Sequence, residues 1–396
     1  MKIAELRTFV VGNPPPSFGG RYFLFVTLTT DDGVKGVGEV YAATFHPRAL
    51  EAMIADVFDR HVDGADPFAI EALTRRIAAR GYSSRPDLSL MGVVSGIEMA
   101  CWDIVGKVVG RPVYELLGGR VHERLRAYTY LYTEPDDPVD VYTDPDLAAG
   151  RAADYAAQGF TALKFDPLGP YSAFDPRQPS LEALARTESY VARVREAVGG
   201  RCDLLLGTHG QLTPAGAIRL ARRLERFDPL WFEEPVPPES PEQMATVARA
   251  TSIPIATGER LTTKHEFARV LQTGAAAILQ PNLGRVGGLL EAKKIAGMAE
   301  AHYAQIAPHL YCGPVVGAAN IQLAVCSPNF LVLEGIGRWD GFHAEILRRP
   351  IEWEDGYVIP PTEPGLGVEL DEKVALAHPY DGVDLHLTPA DEPVLG

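Results

Sequence analysis

Residues 1–30 alternate apolar and polar positions around a break at Asn13 to Gly20, and Tyr22 to Thr30 (YFLFVTLTT) is rich in aromatic and β-branched side chains. Successive strand residues face opposite ways, so this pattern predicts two strands joined by a loop. Asp31-Asp32-Gly33 is a turn signal, after which Val34 to Val40 resumes strand character. From Arg48 to about Arg80, and again from Leu90 to Val109, apolar positions recur at helical spacing. A small antiparallel sheet followed by helices predicts an α+β unit ending near Arg120.

Beyond about Leu125 the texture changes. Short apolar runs (TALKF, DLLLG, LWFEEP, PIATGE, AAILQP, AQIAPH, FLVLEG) alternate with Ala- and Arg-rich helical stretches. The polar residues closing these runs, Glu233, Glu259, Asn282, His309 and Glu334, recur about every 25 residues, the size of one βα unit in an eight-unit barrel. A doubly wound sheet also alternates strand and helix, but it does not normally converge so many polar strand ends, so a closed barrel is expected. Asp166 to Ser180 is too rich in Pro and Gly for a helix and reads as an extended loop on the active face. After Trp353 comes a hairpin-like GYVIPPTEPGLGVEL and then no clear element.

Length and charge narrow this picture. At 396 residues the chain suits a large barrel with a smaller companion. Its net charge of -15 repels phosphate backbones and anionic membranes, so neither nucleic acid nor a membrane is expected as a partner. An anionic substrate would then need local positive charge, best supplied by a metal ion. Cys101, Cys202, Cys312 and Cys326 are widely spread, without zinc spacing, and read as reduced thiols. The opening MKIAELRTFVV has no long apolar signal region, and no apolar run approaches the length of a membrane span, so a cytoplasmic protein is expected.

The strand ends carry the candidate chemistry. Of the adjacent Glu233 and Glu234, alternation turns only one inward, and with Glu259 it would offer the carboxylates that magnesium prefers. The alternative is that these glutamates merely complement helix N-termini or form surface ion pairs. Lys164, within an apolar strand, is either a snorkelling lysine or a base whose pKa burial and a nearby cation depress. His309 is either a satisfied core histidine or part of the same site.

Two stretches tie these residues together. DDGVKGVGE (Asp31 to Glu39) and SGIEMACWDIVGKVVGRPVYELLGG (Ser95 to Gly119) resemble hallmark stretches of the capping domain in the mandelate racemase/muconate lactonizing enzyme branch of the enolase superfamily. WFEEP, ATGE, QPNLGRVGG and GYVIPPTEPGLGVEL resemble that family's later segments in the same order. The resemblance implies an α/β architecture: an N-terminal α+β capping domain over residues 1–125, a modified (β/α)7β TIM barrel over 126–355, and a tail over 356–396 returning to the cap. It implies one magnesium ion per subunit that holds the substrate carboxylate while a base removes the α-proton, and a homo-oligomer of two to eight subunits. By position it implies Glu233 and Glu259 as the second and third metal ligands, Lys164 as the second-strand lysine, His309 as the seventh-strand histidine, and Glu334 as the eighth-strand acid. Phe18, Tyr22 and Tyr41 to His46 fall where the cap would cover substrate.

Three positions depart from that pattern. Gly207 stands where the first metal ligand, usually an Asp of a D-x-N motif, is expected, and His209 replaces the Asn on the same side of the strand. His209 is expected to fill the ligand's place, alone or with water, although imidazole suits magnesium less well than oxygen; its alternative role is acid–base, as in sugar-acid dehydratases with histidine there. Asp166 replaces the second lysine of K-x-K, and would support Lys164, contact substrate hydroxyls or approach the metal. Asn282 replaces the Asp that partners the seventh-strand histidine; it orients His309 but cannot stabilise an imidazolium, which makes His309 a general acid. The resulting expectation is a lyase acting on an acid sugar. Lys164, alone or with Asp166, abstracts the proton, His309 or His209 protonates the departing hydroxyl, and a 2-keto-3-deoxy acid results. A cycloisomerase opening an anhydro sugar acid or lactone is the rival by the same route, a racemase or epimerase the third. A metal-compromised binding protein, suggested by Gly207, is the rival from another class.

Overall fold

The computed structural model describes residues 1–41, 45–79, 85–169 and 176–386. Parts of the expected substrate cover (42–44), of the active-face loop (170–175) and of the tail (387–396) lie outside the described residues.

The N-terminal sheet is an antiparallel meander of β1 (Ile3–Gly12), β2 (Tyr22–Thr30) and β3 (Lys35–Val40). It is followed by α1 (Pro47–Val57), α2 (Ile70–Ala78) and α3 (Leu88–Val109). Asp87 caps α3 by accepting from the Ser89 and Leu90 amides, and Gly110 ends it at φ 68, where a glycine carries no Cβ penalty. A Cβ at Gly38 would run into the carbonyl of Gly96, so α3 lies backbone to backbone on β3. The expectation that no apolar run reaches membrane-span length needs correction. α3 has that length and composition, and 83% of its most apolar stretch is buried within the protein, which makes it a core helix apolar on every side.

Eight parallel strands follow: β4 (Leu125–Tyr130), β5 (Ala162–Phe165), β6 (Asp203–Gly207), β7 (Trp231–Glu233), β8 (Ile255–Thr257), β9 (Ile278–Leu279), β10 (Gln305–Ile306) and β11 (Leu333–Glu334). Each pairs with the next as far as β10, β11 pairs with β4, and a parallel bridge between Ile306 and Phe330 joins β10 to the residues before β11. The sheet therefore closes, with a major helix after each strand but the last, a (β/α)7β barrel. Tyr128, Ala162, Leu205, Trp231, Ala256, Ile278, Ala307 and Val332 form one buried cluster, contributed one per strand run. They fill the barrel as an apolar plug.

After the barrel, β12 (Glu352–Glu354) and β13 (Tyr357–Ile359) form a hairpin through Asp355 (φ 47) and Gly356 (φ 82), and β13 pairs antiparallel with β4. The Asp-Gly turn demands positive φ at both central positions. The tail then bridges Val11 through Pro379. Cap and barrel are also joined by two buried glutamates. Glu39, at the end of β3, accepts from the Gly313, Val315 and Val316 amides that open the helix Pro314–Val325. Glu98, on α3, accepts from Leu289 and Leu290 at the start of the helix Leu289–Ala301. Each satisfies amide donors that a helix N-terminus leaves open.

Candidate active site

Counting two residues onward from the apolar plug leads to Tyr130, Lys164, Gly207, Glu233, Gly258, Gln280, His309 and Glu334. These positions form the next level toward the C-terminal ends of the strands, where barrel active sites lie. The structure brings most of the predicted set together there. Lys164 is fully buried; its Nζ lies 2.6 Å from Glu233 Oε1, 3.5 Å from Glu334 Oε1 and 4.9 Å from the centre of the Tyr130 ring. Glu233 Oε2 accepts from Gln280 Nε2 at 2.7 Å. Glu334 Oε2 accepts from the Leu310 amide at 2.7 Å, leaving Oε1 buried without a hydrogen bond. The neighbouring Glu234 turns away from this group and pairs with Arg260, whose Nη2 is 2.6 Å away. Of the two adjacent glutamates, then, Glu233 alone joins the lysine.

The second half of the site centres on His309. Its Nε2 is 3.1 Å from Glu259 Oε2, and its Nδ1 is 2.9 Å from Asn282 Nδ2. Asn282 Oδ1 accepts from the Gly284 amide at 2.8 Å, which fixes the side-chain amide with its NH2 toward the imidazole. His309 Nδ1 is thereby the acceptor, and the proton of the neutral ring sits on Nε2, aimed at Glu259. Burial alone would raise Glu259, but His309, backed by His209 and Lys164, holds its carboxyl well below the usual carboxylate range.

Lys164 differs from expectation. Burial does depress it, but the carboxylates of Glu233, Glu334 and Glu259 outweigh burial and raise its pKa, so it stands as an ammonium. His209 Nδ1 lies 3.5 Å from Asp166 Oδ2, and His209 is in the left-handed region at φ 46. Burial lowers its pKa, yet Asp166 and Glu259 carry it above the ordinary value. Asp166 Oδ1 is buried and makes no hydrogen bond.

Of the expected cover residues, Phe18 stacks on Tyr132 just past β4, with ring centres 4.1 Å apart, and Tyr41 lies 6.2 Å from the His309 ring beneath the Arg285 guanidinium. Tyr22 and His46 are placed elsewhere. Tyr22 packs on Tyr380 and His386, and His46 caps α1 and meets the Gly382 carbonyl, so both hold the tail against the cap. Sequence reasoning missed Gln280, Tyr130 and Arg285. Gln280 lies two residues before Asn282, and Tyr130 two after the plug residue Tyr128, so a count of alternation would have found both.

Asp166, Glu233, Glu259 and Glu334 leave this buried space rich in negative charge, with oxygen donors of the kind that magnesium selects. Among the described residues no three acidic, histidine or cysteine side chains already stand in ligating positions around one point. Glu233 is engaged by Lys164 and Gln280, and Glu259 by His309, so the protein's own donors occupy oxygens that a dication would claim. The donor set, with buried oxygens on Asp166 and Glu334 that make no hydrogen bond, fits a hard cation in chemistry.

Residues 16–118 match the N-terminal domain model of the mandelate racemase/muconate lactonizing enzymes, and residues 147–374 match the enolase C-terminal domain-like model. The chain is 38% identical over 382 residues to a D-galactonate dehydratase of Ralstonia nicotianae, covering 95% of this chain and 94% of that one. A D-galactonate dehydratase of Ralstonia pickettii is 36% identical over 97% of this chain and 96% of its own length. Among solved structures, a candidate mandelate racemase/muconate lactonizing enzyme from Labrenzia alexandrii DFL-11 superposes with a TM-score of 0.96 at 64% identity, over 98% of this chain and 99% of that one.

Proposed function

The chain belongs to the mandelate racemase/muconate lactonizing enzyme family of the enolase superfamily, and we propose that it is a sugar-acid dehydratase in which Lys164 removes the proton alpha to the substrate carboxylate and His309 protonates the departing hydroxyl. The C–H electron pair moves into the carboxylate to form an enediolate. Its collapse expels the β-hydroxyl, which leaves as water with the Nε2 proton of His309; the imidazolate so formed is held by the Asn282 amide donating to Nδ1 and regains its proton from solvent, and the enol product tautomerises to a 2-keto-3-deoxy acid. The observation that carries this reading is the Asn282 amide on His309 Nδ1, which makes the neutral imidazole a proton donor at Nε2. A racemase would need a second base in that place.

Glu233 and Glu259, with a third donor from the strand ends, would hold a magnesium ion, which when bound supplies positive charge against the charge developing on the substrate carboxylate. The carboxylates that keep Lys164 protonated are among those such a cation would occupy, so the lysine's basic form is tied to Glu233 being engaged elsewhere. Glu334 Oε1, which makes no hydrogen bond, is placed to meet a substrate group. Phe18 and Tyr41 bring the cap to the same space.

The test is a panel of acid sugars with magnesium, beginning with D-galactonate, scored for keto-acid formation and for solvent deuterium entering at the α-carbon. Keto acid with loss of water supports dehydration. A ring-opened product of unchanged mass points to the cycloisomerase. Neither product nor exchange on any sugar acid overturns the reading in favour of a binding protein.

A further inference from the structure

We infer that the first metal ligand has moved one strand over: Asp166, at the end of β5, supplies the carboxylate that this fold would otherwise place at Gly207 on β6. The inference rests on the metal-dependent reading above and concerns the position that departs from it.

β5 and β6 are paired in parallel, with Lys164 beside Leu205 and Phe165 beside Leu206. Asp166 therefore follows β5 level with Gly207. A Cβ built on Gly207 would run into Asp166 Oδ1, and would stand 3.2 Å from the Tyr130 hydroxyl and 3.5 Å from Lys164 Cε. The direction in which a side chain at 207 would leave the backbone thus points into the same space as Lys164, and one oxygen of Asp166 already fills it. An aspartate at both positions would press two carboxylates into that volume. A glycine at 207 is what lets the side chain from β5 enter.

The two oxygens of Asp166 have different surroundings. Oδ2 faces His209 Nδ1 at 3.5 Å. Oδ1, turned to the Gly207 side, is buried, makes no hydrogen bond and has the Tyr130 hydroxyl nearby. A buried carboxylate oxygen left without a formed hydrogen bond is unfavourable unless something satisfies it, and a cation shared with Glu233 and Glu259 would do so. His209 then acts through Asp166, orienting the carboxylate as outer partners of metal ligands do, and need not bind the metal itself. The three ligating carboxylates would come from β5, β7 and β8, and the hard, all-oxygen character that magnesium requires is kept without an imidazole.

The test reads metal affinity directly, by calorimetry with magnesium and by the electron paramagnetic resonance of bound manganese, with thermal melts in chelator to confirm folding. Asp166→Ala is expected to weaken binding at least tenfold, the lower limit for losing even an outer partner of a metal ligand. The double variant Asp166→Ala/Gly207→Asp, which vacates the space and returns a carboxylate from β6, is expected to recover most of that loss. Gly207→Asp alone crowds Asp166 and should bind no better than the parent. His209→Asn, which removes only the outer partner, should cost less affinity than Asp166→Ala. Parent-like binding by Asp166→Ala, or a double variant no tighter than Asp166→Ala, overturns the transposition. So does loss of binding on His209→Asn with retention on Asp166→Ala. Glu259→Gln separates the two levels: if it loses metal while Asp166→Ala does not, only the transposition fails, and if it also binds normally the metal-dependent reading fails with it.

Discussion

Lys164 Nζ and Glu233 Oε1 lie 2.6 Å apart with neither side chain meaningfully exposed, so the proposed base and a proposed metal ligand neutralise each other inside the barrel. The pair sets up a competition: the lysine's charge and a dication claim the same carboxylate. Lys164→Met keeps the length of the side chain and removes the charge. It is expected to abolish deuterium exchange at the substrate's α-carbon while tightening magnesium binding, because Glu233 no longer has an internal cation. Calorimetry on the variant checks the second half, and weaker binding than the parent would refute the competition.

Asn282 sets the tautomer of His309, and Asn282→Asp should invert it. A carboxylate at that position would accept from Nδ1–H, so that in the neutral ring Nε2 becomes the acceptor and carries no proton to deliver. Dehydration should fall by about a hundredfold or more, the range associated with one misplaced proton donor or acceptor. Exchange at the α-carbon, which rests on Lys164, should persist. Unaltered turnover in Asn282→Asp would mean that His309 does not deliver the proton.

Phe18 extends from the loop between β1 and β2 to stack on Tyr132, and is half-buried in doing so. A stacked aromatic pair contributes about 0.5–1.5 kcal/mol beyond its burial, enough to hold a loop but little of the fold. Phe18→Ala should therefore leave the melting temperature within a few degrees of the parent, the scale of about 1 kcal/mol in a chain of this size. It should raise KM several-fold with a smaller change in kcat. Equal losses in both constants would instead place Phe18 in the chemical step.

The barrel was legible because its signals are local. Period-2 runs and a polar residue about every 25 positions announce themselves within any short window. The strand Glu352–Glu354 escaped because its three residues are mostly exposed and charged, and only pairing with β13 makes it a strand. At the site, Lys164, Glu233, Glu259, Asn282, His309 and Glu334 were found by position, whereas their partners were not. The direction of the Lys164 shift depends on carboxylates 69 and more residues away, and sequence offered only the burial half of that balance. The fit of Asp166 beside Gly207 likewise depends on the register between two strands, which no residue in either strand encodes by itself.

Glu39 and Glu98 were visible only as letters in the two stretches that resemble the capping domain, since their amide partners lie 191 or more residues away. Both are fully buried, and burial, working against the helix amides they accept from, pushes each up to about 7 from an ordinary value of 4.5. The folded state therefore binds more protons than the unfolded state between those limits. The stability each glutamate contributes is fully present below pH 4.5 and is lost as pH rises through about 7, by about 3 kcal/mol for a shift of that size. Glutamine cannot titrate, so Glu39→Gln and Glu98→Gln add a constant penalty, because an amide NH2 replaces one acceptor at a helix N-terminus, but remove the slope. Other titrating groups contribute equally to parent and variant and cancel in the difference. Melting curves collected from pH 5 to pH 8 should show the variants gaining on the parent as pH rises. Parallel curves, or a parent that gains on the variants, would show that these two glutamates are ionised throughout that range and dock the cap as carboxylates.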